Sequence, residues 1–141
     1  MIILPCTKSK AFNSIPTGLP AGEAYIGQMF LKGKKFAQRV GESYVILSAK
    51  YGWLYPHEII YNYEQTFKKT KPDYLFLIKQ VAEKGIKDSR FIVLGGEVYS
   101  CVVRKCFPDA VIIEPLKGLS LGFKLQLLGD HVKLQSLIQE V

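Results

Sequence analysis

Tyr44-Val-Ile-Leu-Ser-Ala-Lys-Tyr-Gly-Trp-Leu-Tyr-Pro-His-Glu-Ile-Ile60 is the stretch that decides how this chain is read. Its first four residues form a short apolar run of the kind buried on both faces of a parallel sheet. Ser48, Lys50, Tyr51, Gly52 and Trp53 follow at once. Polar, basic and aromatic groups therefore crowd just past a strand end. In open parallel α/β sheets, ligands bind beyond the carboxyl ends of the strands.

Working outward, three further apolar runs supply partners for this strand. Met1 to Pro5 reads as a central strand, Phe91 to Leu94 as a third and Ala110 to Ile113 as a fourth. Helical spacing lies between them. One segment runs from about Gly22 to Val40, with Gly27 or Gly33 as a possible break. A second is capped by Asp73 and stops at Gly85, with Leu75, Ile78, Val81 and Ala82 on one side. Glu97 to Phe107 is a short helix ended by Pro108. Phe123 to Val141 is an amphipathic helix that Gly129 and Asp130 could interrupt. Residues 11 to 22, with Asn13, Pro16, Gly18, Pro20 and Gly22, read as a loop. Residues 49 to 72 form a long connection, with a weak helical signal over Pro56 to Ile60. A connection of that length is more often a binding loop or lid than a plain linker. Strands alternating with helices predict a single three-layer α/β domain over residues 1–141. Its predominantly parallel sheet has about four strands in the order 2-1-3-4, flanked by helices. That order sets Cys6–Lys10 beside Gly95-Gly96, with Ser48–Gly52 on the other side.

Composition narrows the partners. Nineteen Lys and Arg stand against 12 Asp and Glu, a formal charge of +7, which favours polyanions. Only Arg39, Arg90 and Arg104 are arginines; a lysine-rich solvated surface explains the same excess. The three cysteines, Cys6, Cys101 and Cys106, are too few and odd in number for a disulfide framework. No apolar run approaches the roughly 18 residues of a membrane span, and no signal sequence is visible, so the pattern predicts a soluble cytoplasmic protein.

The candidate site gathers at the strand ends. Thr7, Lys8, Ser9 and Lys10 offer hydroxyl and ammonium groups suited to a phosphate or carboxylate, although the glycines of a P-loop are missing. Cys6 reads as a small buried thiol, since neither His57 nor His131 is near it in sequence. Glu23 and Tyr25 stand at a helix entrance. Ser48, Tyr51 and Gly52 follow the second strand, where Gly52 suits a positive φ or a close backbone approach. Lys50 could hold an anion, and Glu58 could pair with it. Trp53 and Tyr55 either stack on a base or pack under the long loop. Tyr63 is a further loop aromatic. Gly95-Gly96 at a strand-to-helix turn is an anion-binding feature, followed by Glu97 and Tyr99. Glu23, Lys50 and Glu97 are the candidates for chemistry. No metal spacing and no cofactor motif is recognisable.

Cys6-Thr-Lys-Ser-Lys10, Pro20-Ala-Gly-Glu-Ala-Tyr25 and residues 47–60 with Tyr63 resemble a small uncharacterised α/β domain family with CTKSK, ELY and LSAKYG motifs. That family is similar to the YaaA-like peroxide-stress proteins, whose LSGLYGVLRP-DL--PY segment matches residues 47–63 in spacing. Their ASDEY segment is similar to Gly95-Gly-Glu-Val-Tyr99. The YaaA-like proteins are about twice as long and carry an apolar residue where this chain has Lys50. The resemblance implies an α/β fold that binds nucleic acid or a nucleotide-like ligand; related domains also occur in enzymes of modified-nucleoside synthesis.

Three functional readings follow. The first is a nucleotide- or nucleic-acid-binding domain with its ligand at the carboxyl strand ends. The second is an enzyme acting on a nucleoside, nucleotide or modified base, with Glu23, Glu58 and Glu97 as acid–base groups and Lys8 or Lys50 stabilising an anion. The third is a non-catalytic interaction domain, a possible homo-oligomer, using Leu125, Leu128 and Leu137.

Overall fold

The computed structural model describes residues 1–12 and 17–140. Asn13, Pro16 and Val141, assigned above to a loop and to the last helix, lie outside the described residues. In chain order the elements are β1 (Ile2–Pro5), β2 (Leu19–Pro20), α1 (Ala21–Ala24), α2 (Gln28–Val40), β3 (Tyr44–Ser48), β4 (Gly52–Leu54) and β5 (Ile59–Ile60). They continue with α3 (Tyr74–Lys84), β6 (Arg90–Val93), α4 (Glu97–Cys106), β7 (Val111–Ile113), α5 (Leu121–Gly129) and α6 (His131–Gln139).

The main sheet has the order β4-β3-β1-β6-β7. The run β3-β1-β6-β7 reproduces the expected 2-1-3-4 arrangement through three pairings, all parallel. The fifth strand is the correction. After β3 the chain turns back within three residues, and β4 pairs antiparallel with it, Leu47 opposite Trp53 and Ser48 opposite Gly52. The weak helical signal over Pro56 to Ile60 is also overturned. Ile59 and Ile60 form β5, which pairs antiparallel with β2. β-branched side chains favour that extended pairing over a helical turn.

Alternation along the strands feeds two cores. Ile2, Leu4, Ile46 and Ile92 pack against Phe30, Phe36, Leu127 and Leu134 from α2, α5 and α6. Ile3, Val45, Leu47, Phe91 and Val93 pack against Leu77, Val102 and Val103 from α3 and α4. Each fully buried aliphatic side chain stabilises by roughly 2 kcal/mol against its exposed state. The result is the expected three layers. No helix among the described residues is long and apolar enough to cross a membrane.

Both helix breaks that the sequence allowed for are present, and one helix face departs from the pattern. The first expected helix divides at Gly27, while Gly33 stays helical and faces Leu4. α3 has the expected caps, with Asp73 Oδ1 accepting from the Phe76 N–H at 3.1 Å and Gly85 left-handed. Its buried positions, however, are Leu77 and Gln80, and Leu75 is 83% exposed. The helix turns a polar Gln inward because that Gln has backbone partners on β4 and in the turn before it, described below. The last helix is broken at Asp130, whose side chain caps α6 by accepting from the Lys133 N–H at 3.1 Å. Leu128, expected on an interaction face, is fully buried, and Leu137 packs against the core.

Candidate functional site

β1 is the central strand, and its end fixes the site. The Cys6 N–H donates to the Leu47 carbonyl (3.3 Å) on one side, and the Leu94 N–H donates to the Ile3 carbonyl (3.0 Å) on the other. The Cys6–Lys10 turn therefore stands between the ends of β3 and β6, as the strand order requires. Beyond it lies a cavity of about 1070 Å³. Its floor is Pro5, Cys6, Thr7, Lys8 and Lys10. The starts of α2, α4 and α5 contribute Met29, Gly96, Val98, Tyr99, Leu121 and Lys124. One whole wall is the continuous segment 62–69.

Among the described residues, five ammonium groups line this cavity, those of Lys8, Lys10, Lys68, Lys69 and Lys124, against the one carboxylate of Glu64. Among the described residues, none of the five lysines has a carboxylate oxygen within 4.0 Å. Lys10 is committed to the backbone: its Nζ donates to the carbonyls of Lys8 (3.2 Å) and Tyr63 (3.1 Å) and lies 4.2 Å from the Tyr63 ring centroid. Burial pulls its pKa below the ordinary lysine range, with Cys6 and Glu64 opposing the shift.

A hydroxyl chain anchors the 62–69 wall from beneath. Ser48 Oγ accepts from the N–H groups of Lys50 (3.2 Å) and Tyr51 (3.0 Å) and donates to Tyr63 Oη (2.9 Å). Tyr63 Oη lies 2.6 Å from Tyr25 Oη. Burial pushes the Tyr25 hydroxyl up to about 12 and raises that of Tyr63 further, so both are neutral hydroxyls at physiological pH. Tyr99 lies between β1 and the wall. Its hydroxyl is 3.4 Å from Cys6 Sγ and donates to the Cys6 carbonyl at 3.3 Å, and its ring meets Phe67 edge-on at 5.4 Å. A Cβ on Gly95 would sit 2.8 Å from the Tyr99 ring, which is why glycine stands there.

The sequence candidates thus separate into two groups. Thr7, Lys8, Lys10, Tyr63, Gly96 and Tyr99 line the cavity. Tyr25 and Ser48 stand behind it in the hydroxyl chain. The Ser9 carbonyl accepts from Thr7 Oγ1 (2.9 Å) and the Ile26 N–H (3.1 Å), holding the turn against α2. Tyr51 packs its ring edge-on to Tyr63, and its hydroxyl spans to the Tyr61 backbone. Gly52 has φ +73°, as its position suggested, and faces Gln80 and Leu77 of α3 rather than the cavity. Gly95 lines a smaller neighbouring cleft of about 90 Å³.

None of Glu23, Lys50 and Glu97 lines the main cavity. Glu23 is exposed on α1, and Lys50 is exposed with its Nζ over the Tyr51 ring. Glu97 is 3.8 Å from Arg104 and accepts from the Cys101 thiol. Glu58 does not pair with Lys50; it pairs with Lys84 at 2.8 Å, because the β3–β4 turn carries it to α3. Trp53 is fully buried against Phe107 on the α3–α4 face, and so is unavailable for stacking on a base. Cys6, expected to be buried, is half-buried and faces the cavity.

Sequence reading missed Glu64, Lys68, Lys69 and Lys124 as site residues. A signal existed for two of them: the run Lys68-Lys-Thr-Lys71 ends a connection too long to be a plain linker. Lys124 carried none, since only α5 packing against α2 brings it to the strand ends.

Fold and cavity define an α/β domain with a cationic, partly aromatic pocket at the carboxyl edge of a mostly parallel sheet. The chain belongs to the family described as "Family of unknown function (DUF6884)", whose model matches residues 1–130. It is also similar to "Uncharacterized protein YfjM" of Bacillus subtilis (strain 168). The two are 31% identical over 142 aligned residues, which cover 94% of this chain and 95% of the relative.

Proposed function

We propose that this protein binds a nucleotide or a nucleotide-bearing end of a nucleic acid in the cavity beyond β1. The observation that carries this reading is the charge pattern: five lysines without an ion-pair partner among the described residues surround a cavity of about 1070 Å³. Ammonium groups at that density favour phosphate, for which lysine acts as a point charge. The volume suits a ligand larger than inorganic phosphate. Phe67 and Tyr99 add aromatic surface on which a base can lie. The likeness of residues 47–63 to the YaaA-like DNA-binding proteins supports the same ligand class. Binding is favoured over turnover because the acid–base candidates Glu23, Glu58 and Glu97 all lie outside the cavity.

Isothermal titration of the protein with nucleoside mono-, di- and triphosphates and short single-stranded oligonucleotides tests the proposal. Saturable binding that weakens with added salt is expected. Replacing Lys68 and Lys69 together by Gln should weaken it about tenfold or more, since each charge-assisted contact contributes on the order of 1 kcal/mol. Absence of salt-sensitive binding to every member of the panel overturns the reading.

A further inference from the structure

The wall of the cavity is electrically polar along its length. Segment 62–69 carries Glu64 near one end and Lys68 and Lys69 at the other, all lining the same space. Glu64 and Lys68 are four residues apart, a separation of at most about 14 Å even for extended chain. The chain from Tyr61 to Thr66 is free of helix, and a turn closes at Thr66–Thr70, where the Thr70 N–H donates to the Thr66 carbonyl at 2.8 Å. Glu64 lies at the Lys10 side of the cavity, where the lysine is already engaged with two backbone carbonyls. Among the described residues, Lys8, Lys68, Lys69 and Lys124 have no ion-pair partner. Among the described residues the Glu64 carboxylate has no ion-pair partner and accepts no hydrogen bond from the protein.

A cavity selected only for negative charge gains nothing from a carboxylate in its wall. An ionised carboxylate is an acceptor only: it repels a phosphoryl group and welcomes an O–H or N–H donor. We infer that Glu64 is a specificity-determining residue that selects nucleoside phosphates over bare polyphosphates, by accepting a hydrogen bond from a ribose hydroxyl or a base amino group. This rests on the nucleotide reading of the same cavity. Glu64 is exposed to solvent in the cavity wall, so the discrimination comes from the hydrogen bond the nucleoside gains and the repulsion a bare polyphosphate meets.

The test uses the full chain with adenosine, guanosine, cytidine and uridine diphosphates and with inorganic pyrophosphate, titrated at constant ionic strength. The wild type should bind at least one nucleoside diphosphate about tenfold tighter than pyrophosphate. Glu64→Ala should collapse that ratio toward one, weakening the nucleoside diphosphate while strengthening pyrophosphate. Glu64→Gln, which keeps a carbonyl acceptor, should recover part of it. A purely electrostatic Glu64 would shift both ligands by the same factor and leave the ratio unchanged. That outcome, or pyrophosphate binding as tightly as every nucleoside diphosphate to the wild type, overturns the inference while leaving the anion cavity standing. Failure of all five ligands to bind brings down the cavity reading itself. Wild-type melting temperatures for both variants keep a folding defect separate from a change in selectivity.

Discussion

Gly52 shows how much one residue can fix. Its φ of +73° closes the turn from β3 to β4, and a Cβ there would meet Gln80 Oε1 and come within 3.0 Å of Gln80 Cδ and Leu77 Cδ2. Gln80 is not a movable neighbour. Its Oε1 accepts from the Trp53 N–H at 2.8 Å, and its Nε2 donates to the Tyr51 carbonyl at 2.8 Å. Gly52→Ala should therefore cost about 3 kcal/mol, from a left-handed backbone penalty plus two strained buried hydrogen bonds. Urea denaturation measures it. Adding Gln80→Ala should recover little, since the backbone term stays and the two partners lose their bonds. A loss below about 1 kcal/mol for Gly52→Ala would mean the turn is far more plastic than its packing.

At the scale of elements, the β4–α3 connection is held by Glu58 and Lys84. Lys84 Nζ donates to both Glu58 carboxylate oxygens (2.9 and 2.8 Å) and to the Trp53 carbonyl (2.6 Å), and Glu58 also accepts from the Tyr55 N–H at 2.9 Å. Burial pushes the Glu58 carboxyl upward, but the Lys84 and Tyr55 hydrogen bonds and the Lys84 charge outweigh it, and its pKa falls below 4.5. A carboxyl depressed on folding contributes stability that is present above its unfolded value and is lost as pH falls through the folded one. Glu58→Gln should cost about 1 to 2 kcal/mol at pH 7, and the gap to wild type should narrow steadily below pH 4.5. Parallel thermal melts from pH 7 to pH 3 check this; a gap constant across that range would sink it.

Elements were legible where pattern and end signals agreed. β1, β3, β6 and β7 are each built on an uninterrupted apolar run, and α3 has Asp73 and Gly85 at its ends. β4 and β5 were not, because runs of two or three residues carry no period. The inward face of α3 was misread for a different reason: Gln80 is polar and buried, and its partners come from another element. The site was legible in Thr7, Lys8, Lys10 and Tyr99, which follow strand ends. Lys124 was invisible because its place depends on packing between α2 and α5.

Across the whole molecule, the sheet ends very differently from the way a bare edge strand would. The outward N–H and C=O of Trp53 on β4 are taken by Gln80 and Lys84, two side chains one helical turn apart on α3. They occupy the places of a sixth strand's backbone groups, which removes a template for pairing with another chain. Replacing both by Ala uncovers that edge. The double variant should self-associate in a concentration-dependent way on analytical ultracentrifugation, at concentrations where the wild type does not change its sedimentation. Identical sedimentation of the two proteins would show that the edge is protected by something other than these side chains.

The wall over the cavity has one more consequence. It is a single uninterrupted stretch of eight residues, fastened beneath by the Tyr63 hydroxyl and above by the Phe67 ring against Tyr99. Exposed side chains between and beside those two fastenings should therefore be exchangeable without disturbing the sheet. The segment is in effect a cassette: Glu64, Gln65, Thr66, Lys68 and Lys69 should be open to rewriting for a different ligand, while Tyr63, with the Asn62 Oδ1 that accepts from its N–H at 3.0 Å, and Phe67 keep the insert in register.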